Sequence, residues 1–458
     1  MRMLSILFFV PMLLFYSSYA VAQPNSDEAL SAKAETLIQP MVKADQFSGV
    51  VLVARDGLSI FRRAYGLADR EWNVPNTIES KFRIGSMTKQ FTATAILQLQ
   101  EAGKLTVDDH ISKFYNDAPS SWNDITIRNL LTHTSGIPDY DWPNQQDYFR
   151  DARADRSPDQ LIKGIQGKPL TFPPGSKFLY DNMGYDILGF IIEKASGEKW
   201  ADYLQHHIFD PLGMTSSGYG ADEAIIPKRS SGYRFVNGKY LNAPFISMTQ
   251  AFAAGALYSN VDDMLLWDKA LYSANLLTQR SLEAMFADYG HGYGYGWFVD
   301  NEFGHQHLSH GGIIAGFASR YDRYPKDHLA VFVLSNTQNA PVGQIADKLA
   351  VIYLRIPPRN AAAGGEALIR RTIEALRQAT PNYNEMGPQM AEATRTHVPQ
   401  LQKAIGDSGT VKTVTLLEAG PTGIDRYTVA FQNSVAEWDV RSEQDGKLVV
   451  YPARFPAP

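Results

Sequence analysis

From Leu4 to Tyr16 every position except Ser5 is apolar, and Ser17-Ser18-Tyr19-Ala20-Val21-Ala22 follows with an A-x-A pattern before Gln23. Behind the single basic Arg2, this run predicts a secretory signal peptide over residues 1–22, cleaved after Ala22 and too short to anchor the chain in a membrane. The next strong pattern is internal. Phe82-Arg83-Ile84 reads as a short strand, Gly85 permits a tight approach, and residues 87–101 contain almost no helix breaker. Phe91, Ala93, Ala95, Ile96, Leu97 and Leu99 are apolar on most sides, so this helix is expected to be buried. A second helix over Ile187–Ala195 ends at Gly197, a residue suited to a left-handed cap. Leu329 to Asn336 reads as a buried strand, and His305 and His307 alternate with Gln306 and Leu308 as side chains do along a strand.

Beyond Ile356-Pro357-Pro358 the pattern changes. Small residues up to Gly365 mark a linker, predicted at 357–365. Glu366–Ala379 and Pro388–Ile405 have helical periods. Val411–Leu417, Tyr427–Phe431, Val435–Val440 and Lys447–Tyr451 have strand character, with Asp445-Gly446 as a hairpin turn signal. The expected organisation is a main domain over 23–356 and a small α+β domain over 366–458, the latter faintly similar to the cone-shaped nuclear-transport-factor-like fold.

The buried helix carries the chemistry. Ser86 and Lys89 lie three residues apart, hence on one face. An amine there can take a proton from a hydroxyl and make it a nucleophile, provided that it spends time uncharged, and burial disfavours its charged form. Ser196 and Lys199 repeat the spacing, but that serine precedes Gly197 and reads as a helix end. Two later boxes, Tyr180-Asp181-Asn182 and His310-Gly311-Gly312, supply a second proton carrier, an amide and a backbone edge. Tyr258-Ser259-Asn260 also fits Y-x-N, yet it leads into Val261-Asp262-Asp263 and reads as a helix N-cap with Tyr258 as packing.

Several further stretches fit in order and spacing: Ile127-Arg128-Asn129-Leu130-Leu131-Thr132-His133-Thr134-Ser135-Gly136, Pro174-Gly175, Pro211-Leu212-Gly213-Met214 and Gly316-Phe317. Together these boxes, over roughly residues 30 to 355, resemble the serine β-lactamase and penicillin-binding protein superfamily, in its class C-like, D-peptidase and esterase branch. The resemblance implies an α/β (α+β) fold: a three-layer antiparallel sheet with flanking helices plus a helical subdomain, with the site in the cleft between. It implies Ser86 as the acylated nucleophile, Lys89 as its proton acceptor and Tyr180 as the shuttle to the leaving group and to water. Asn182 would orient the substrate amide, Gly311 and Gly312 would lie on the edge strand along the substrate, and the backbone N–H groups of Ser86 and Ile313 would form the oxyanion hole. His310 stands where many relatives carry lysine, and is expected to be a binding group charged only below about pH 6.5. Asp181 replaces the family's common serine and brings a carboxylate close to the proposed shuttle. No cofactor is implied; the partner is a small-molecule or peptide substrate: a D-amino-acid peptide, a β-lactam or an ester. The alternatives are a β-lactamase proper, a carboxylesterase, or a sensor that is acylated without turnover.

The run His305 to His310 also has spacing reminiscent of metal-ligand motifs, but Ser309 occupies the place of the required aspartate, so no metal is expected. His133 reads as a cap at a helix end and His206-His207 as surface residues, while the aromatic run from Tyr289 to Trp297 fits either the cleft or the core. With no cysteine there are neither disulfides nor a lipoprotein anchor. No later stretch approaches 18 apolar residues, so the mature chain is expected to be soluble in the periplasm or outside the cell. The formal net charge is −5, or −6 without Arg2, and no basic patch supports nucleic-acid binding.

Overall fold

The computed structural model describes residues 26–139, 150–420, 423–442 and 447–453. The signal-peptide segment and the Asp445-Gly446 turn lie outside these residues. The chain begins with helix α1 (Ser26–Lys43) and the hairpin β1 (Gly49–Arg55) and β2 (Leu58–Tyr65), then helix α2 (Thr88–Glu101) and helix α3 (Met183–Ser196). It returns through β3 (Phe298–Glu302), β4 (His305–Ile314), β5 (Phe317–Tyr324) and β6 (Leu329–Ser335) to helix α4 (Val342–Tyr353). The six strands form one antiparallel sheet in the order β3-β4-β5-β6-β1-β2.

Alternation along β1 and β6 explains the layers. Val50, Leu52, Phe332 and Leu334 face one core, which continues into α2 and α3. Val51, Val53, Val331 and Val333 face the opposite core, closed by Ala34 and Ile38 of α1 and Ile345 and Leu349 of α4. Strands covered on both faces are continuously apolar, which is why residues 329–335 read as buried from sequence. Among the described residues no helix is long and apolar enough to cross a membrane.

Helices Gly365–Arg377 and Pro388–Ser408 pack with a four-stranded antiparallel sheet of Val411–Ala419, Ile424–Phe431, Val435–Ser442 and Leu448–Ala453. These elements share a third core, with Leu368, Ile373, Trp438 and Val440 buried together. Arg359, in the preceding linker, pairs with Asp425 of that sheet at 2.5 Å.

Candidate active site

Ser86 sits in a 3₁₀ turn, Gly85–Met87, and α2 begins one residue later, at Thr88. The turn is fastened on both sides. Ile84 donates its N–H to the Leu257 carbonyl at 3.0 Å, and the Ser319 hydroxyl of β5 donates to the Ile84 carbonyl at 2.8 Å. Gly85 has φ +52°, and a Cβ there would stand 3.0 Å from the Ile313 nitrogen. A Cβ on Gly312 would lie 1.9 Å from the Ile84 oxygen. Two glycines therefore allow the serine turn and β4 to touch backbone to backbone. Strand β3 stops pairing at Phe298, opposite Ser309, so residues 310–314 are paired by β5 on one side only. That unpaired stretch is an edge to which an extended substrate can add.

Helix α2 is buried on all sides, so its polar side chains need partners. Thr92 donates to the Ala253 carbonyl at 2.8 Å, and Gln90 accepts from the Trp267 indole at 2.9 Å. Lys89 is 0 % exposed. Its Nζ lies 3.3 Å from Ser86 Oγ, 2.9 Å from Asn182 Oδ1 and 3.1 Å from the Ala254 carbonyl, between the rings of Tyr180 at 4.8 Å and Tyr185 at 5.4 Å. The Ala254 carbonyl is delivered by a kink: within the helix Met248–Gly255, Phe252 adopts φ +23° and ψ −126°. For a bulky residue such a conformation costs roughly 1–3 kcal/mol. It turns two successive carbonyls toward Thr92 and Lys89. No side-chain motif marks it.

Asn182 opens α3. Its Oδ1 accepts from Lys89, while its Nδ2 reaches Asp139 Oδ2 at 3.4 Å. Asp139 Oδ1 accepts the N–H groups of Asn182 and Met183 at 2.8 Å each, a carboxylate at a helix N-terminus. Asp181 does not face the tyrosine hydroxyl. One of its oxygens accepts from Gly184 N–H and the other meets His133 Nδ1 at 3.2 Å. Burial pushes its carboxyl up to about 7, against the Gly184 N–H and the Lys89 charge.

His133 departs from its expected role as a helix cap. It is fully buried at φ +56°; its ring binds Asp181 and packs 4.3 Å from the Tyr180 ring, because the chain turns inward after the helix Ile127–Leu131. Burial and then the Lys89 charge hold it well below the usual histidine range.

His310 also differs from expectation. Its side chain is buried on the face of β4 that meets the helices. Nδ1 lies 2.6 Å from the Gly311 carbonyl, so it carries the hydrogen, and Nε2 accepts from the Tyr293 hydroxyl at 3.0 Å. Burial, then the Lys89 charge, lower it to about 3. It is therefore a neutral anchor for the strand and not a pH-dependent cation. Since an unfolded chain protonates this histidine near pH 6.5, unfolding takes up a proton between pH 6.5 and about 3, and stability falls as pH drops through that window. The melting temperature of His310→Asn is expected to depend less on pH there than that of the native chain.

The aromatic run is buried: Tyr295 and Trp297 belong to the core that meets the helices, and Tyr293 is buried with its hydroxyl on His310. His305 and His307 point to the opposite face of β4 from His310 and pair with Asp327 and Asp300; strand alternation keeps the three histidines from converging. Asn260 caps the helix Val261–Ala270, accepting from Asp263 N–H at 2.9 Å. Ser196 ends α3 before Gly197 at φ +82°, and His206 and His207 are exposed against Glu198.

Ser86, Asn182, Asp139, Asp186 and Ile313 line one cavity of about 350 Å³. Tyr180 Oη is buried beside this cluster with no hydrogen-bond partner among the described residues. Ile313 is 69 % exposed, at the open edge of β4.

The Beta-lactamase family profile matches residues 34–354. The putative penicillin-binding protein PbpX of Bacillus subtilis (strain 168) is 31 % identical over 330 residues, covering 72 % of this chain and 81 % of its own. The penicillin binding protein of Bacillus halodurans superposes with a TM-score of 0.62 at 29 % identity, over 70 % of this chain and 99 % of that one. A D-stereospecific amidohydrolase from Streptomyces sp. does so with a TM-score of 0.60 at 25 % identity, over 73 % and 100 %. The chain therefore belongs to the Beta-lactamase family.

Proposed function

We propose that this protein is a serine hydrolase that works through an acyl-enzyme on Ser86, acting on D-amino-acid peptides or related amides and esters. The observation that carries the reading is the 3.3 Å approach of the fully buried Lys89 Nζ to Ser86 Oγ, which itself faces the cavity. Similarity to a D-stereospecific amidohydrolase supports the substrate class.

In this reading the Lys89 amine takes the Ser86 proton as Oγ bonds to the substrate carbonyl carbon. The oxygen that becomes negative is met by the N–H groups of Ser86 and Ile313; one such donor is worth roughly 10²–10³ in rate. Asn182 has its Oδ1 held by Lys89 and turns its amide toward the substrate. The free Tyr180 hydroxyl gives its proton to the leaving nitrogen or oxygen as the carbonyl–leaving-group bond breaks, and Lys89 restores it. Water then attacks the ester carbonyl, giving its proton to Tyr180 and Lys89 as a relay that returns it to Ser86 Oγ when the acyl–Oγ bond breaks. Gly311 and Gly312 lie on the strand edge offered to the substrate backbone, Gly312 letting that strand lie against the serine turn, and His310 holds it through Gly311. Residues 1–22 would export the chain, and the separate core after residue 365 supports reading 366–458 as a domain of its own.

Hydrolysis is tested by following the Ser86 acyl adduct formed with a chromogenic cephalosporin and with a D-alanyl p-nitrophenyl ester. The ester adduct is expected to clear within minutes, with continued nitrophenol release that Ser86→Ala lacks. A label that persists for hours with both reagents would mark a sensor instead.

A further inference from the structure

Among the described residues, two carboxyls and no cation line the cavity in front of Ser86. Asp139 Oδ1 is occupied by two backbone N–H groups, but among the described residues Oδ2 meets only Asn182 Nδ2, at 3.4 Å. Asp186, one turn into α3, is 3 % exposed. Its Oδ1 accepts from Ala254 N–H at 3.2 Å, and its second oxygen has no hydrogen-bond partner among the described residues. The nearby bases are committed elsewhere. Lys89 points at Ser86, Asn182 and Ala254, and His310 is held uncharged between Tyr293 and Gly311. Burial first, and then a neighbouring carboxylate, hold Asp139 above the usual carboxylate range. Asp186 is raised further by burial, with Lys89 opposing and Asp139 reinforcing. A carboxyl oxygen that faces the cavity without a donor from the described residues can accept one that a ligand brings.

We propose that the acyl group entering this cavity carries a protonated amine, received by Asp186 and Asp139, so that the enzyme prefers substrates with a free amino group beside the scissile carbonyl over those recognised by a carboxylate. This rests on Ser86 as the nucleophile and adds the polarity of the substrate. Ile246, Ala251 and Ile314 provide an apolar wall for the side chain attached to the same carbon. A carboxylate brought into the cavity would meet two acids, with the Lys89 amine already engaged by Ser86, Asn182 and Ala254. An ammonium meets two acceptors and supplies the charge that they lack.

The test compares D-alanine p-nitroanilide, N-acetyl-D-alanine p-nitroanilide and N-acetyl-D-alanyl-D-alanine on the full chain, with fluorophosphonate labelling of Ser86 in parallel. The free amine is expected to exceed its acetylated form in kcat/KM by at least about tenfold, the size of one charge-assisted pair. That ratio is expected to fall severalfold in Asp186→Asn and in Asp139→Asn; if one variant does not fold, the other and the native ratio decide. A native ratio near one, a preference for the acetylated dipeptide, or a ratio unmoved in both variants overturns the proposal. Such a result with Ser86 labelled removes the amine site alone, whereas an unlabelled Ser86 removes the nucleophile on which both readings stand.

Discussion

Lys89→Met is expected to slow acylation of Ser86 by about 10³-fold or more while leaving the melting temperature little changed, because general-base assistance is worth roughly 10²–10⁴. The stability half of this expectation comes from the burial of Lys89. Its amine sits at 0 % exposure between two tyrosine rings, where a charge is costly and an apolar side chain of similar length is not. Against that gain, the buried Ala254 carbonyl loses a donor, at a cost of about 1–3 kcal/mol, whereas the exposed Asn182 can offer its Oδ1 to water. The two contributions offset. A structural ion-pair lysine behaves otherwise: its loss lowers stability sharply and activity only in proportion. Lys89→Arg is a stricter control, since a guanidinium keeps its proton under all conditions, and it is expected to be as inactive as the methionine variant. Burst kinetics with a p-nitrophenyl ester, beside thermal melts, check both halves.

Gly312→Ala is expected to reduce kcat/KM by about 10²-fold or more, since an ångström of misplacement at reacting groups has that effect, and to destabilise the fold by about 1–3 kcal/mol through overpacking. The new Cβ would lie 1.9 Å from the Ile84 oxygen and 2.6 Å from Ser319 Oγ. Backbone cannot yield as a side-chain tip does, so β4 must move off the serine turn, carrying Ile313 N–H away from Ser86. Gly311→Ala is the internal control. Its Cβ meets the nearest atom, the Ser319 oxygen, at an ordinary 3.4 Å, and its melting temperature should stay close to that of the native protein. Equal losses of stability in the two variants would contradict this packing account.

The sequence made the scaffold readable because its signals are local. The Ser86–Lys89 spacing needs only helical geometry, and continuous apolar runs in β1 and β6 follow from cover on both faces of the sheet. Gly312 is legible as a close approach because a chain rarely leaves such a position bare without cause. What remained hidden depends on contacts between distant segments or on backbone angles. The carbonyl that holds Lys89 comes from Ala254, 165 residues away, and is aimed by an unusual φ at Phe252 that no residue type announces. His133 looked like a helix cap because Leu130-Leu131-Thr132 precede it, whereas its partner, Asp181, is 48 positions further on. His310 was assigned its solution behaviour, and only its burial against Tyr293 removes the charge. Asp139 and Asp186 carried no motif at all; the cavity alone brings them before Ser86.

The central claim is that the Ser86 hydroxyl attacks because a buried amine accepts its proton. Intact-protein and peptide mass spectrometry after brief exposure to a fluorophosphonate tests it most directly. One adduct on the peptide containing Ser86 is predicted, absent in Ser86→Ala and slowed by about 10³-fold or more in Lys89→Met, within the range for a lost general base. An adduct on another residue, or undiminished labelling without the Lys89 amine, would contradict the account.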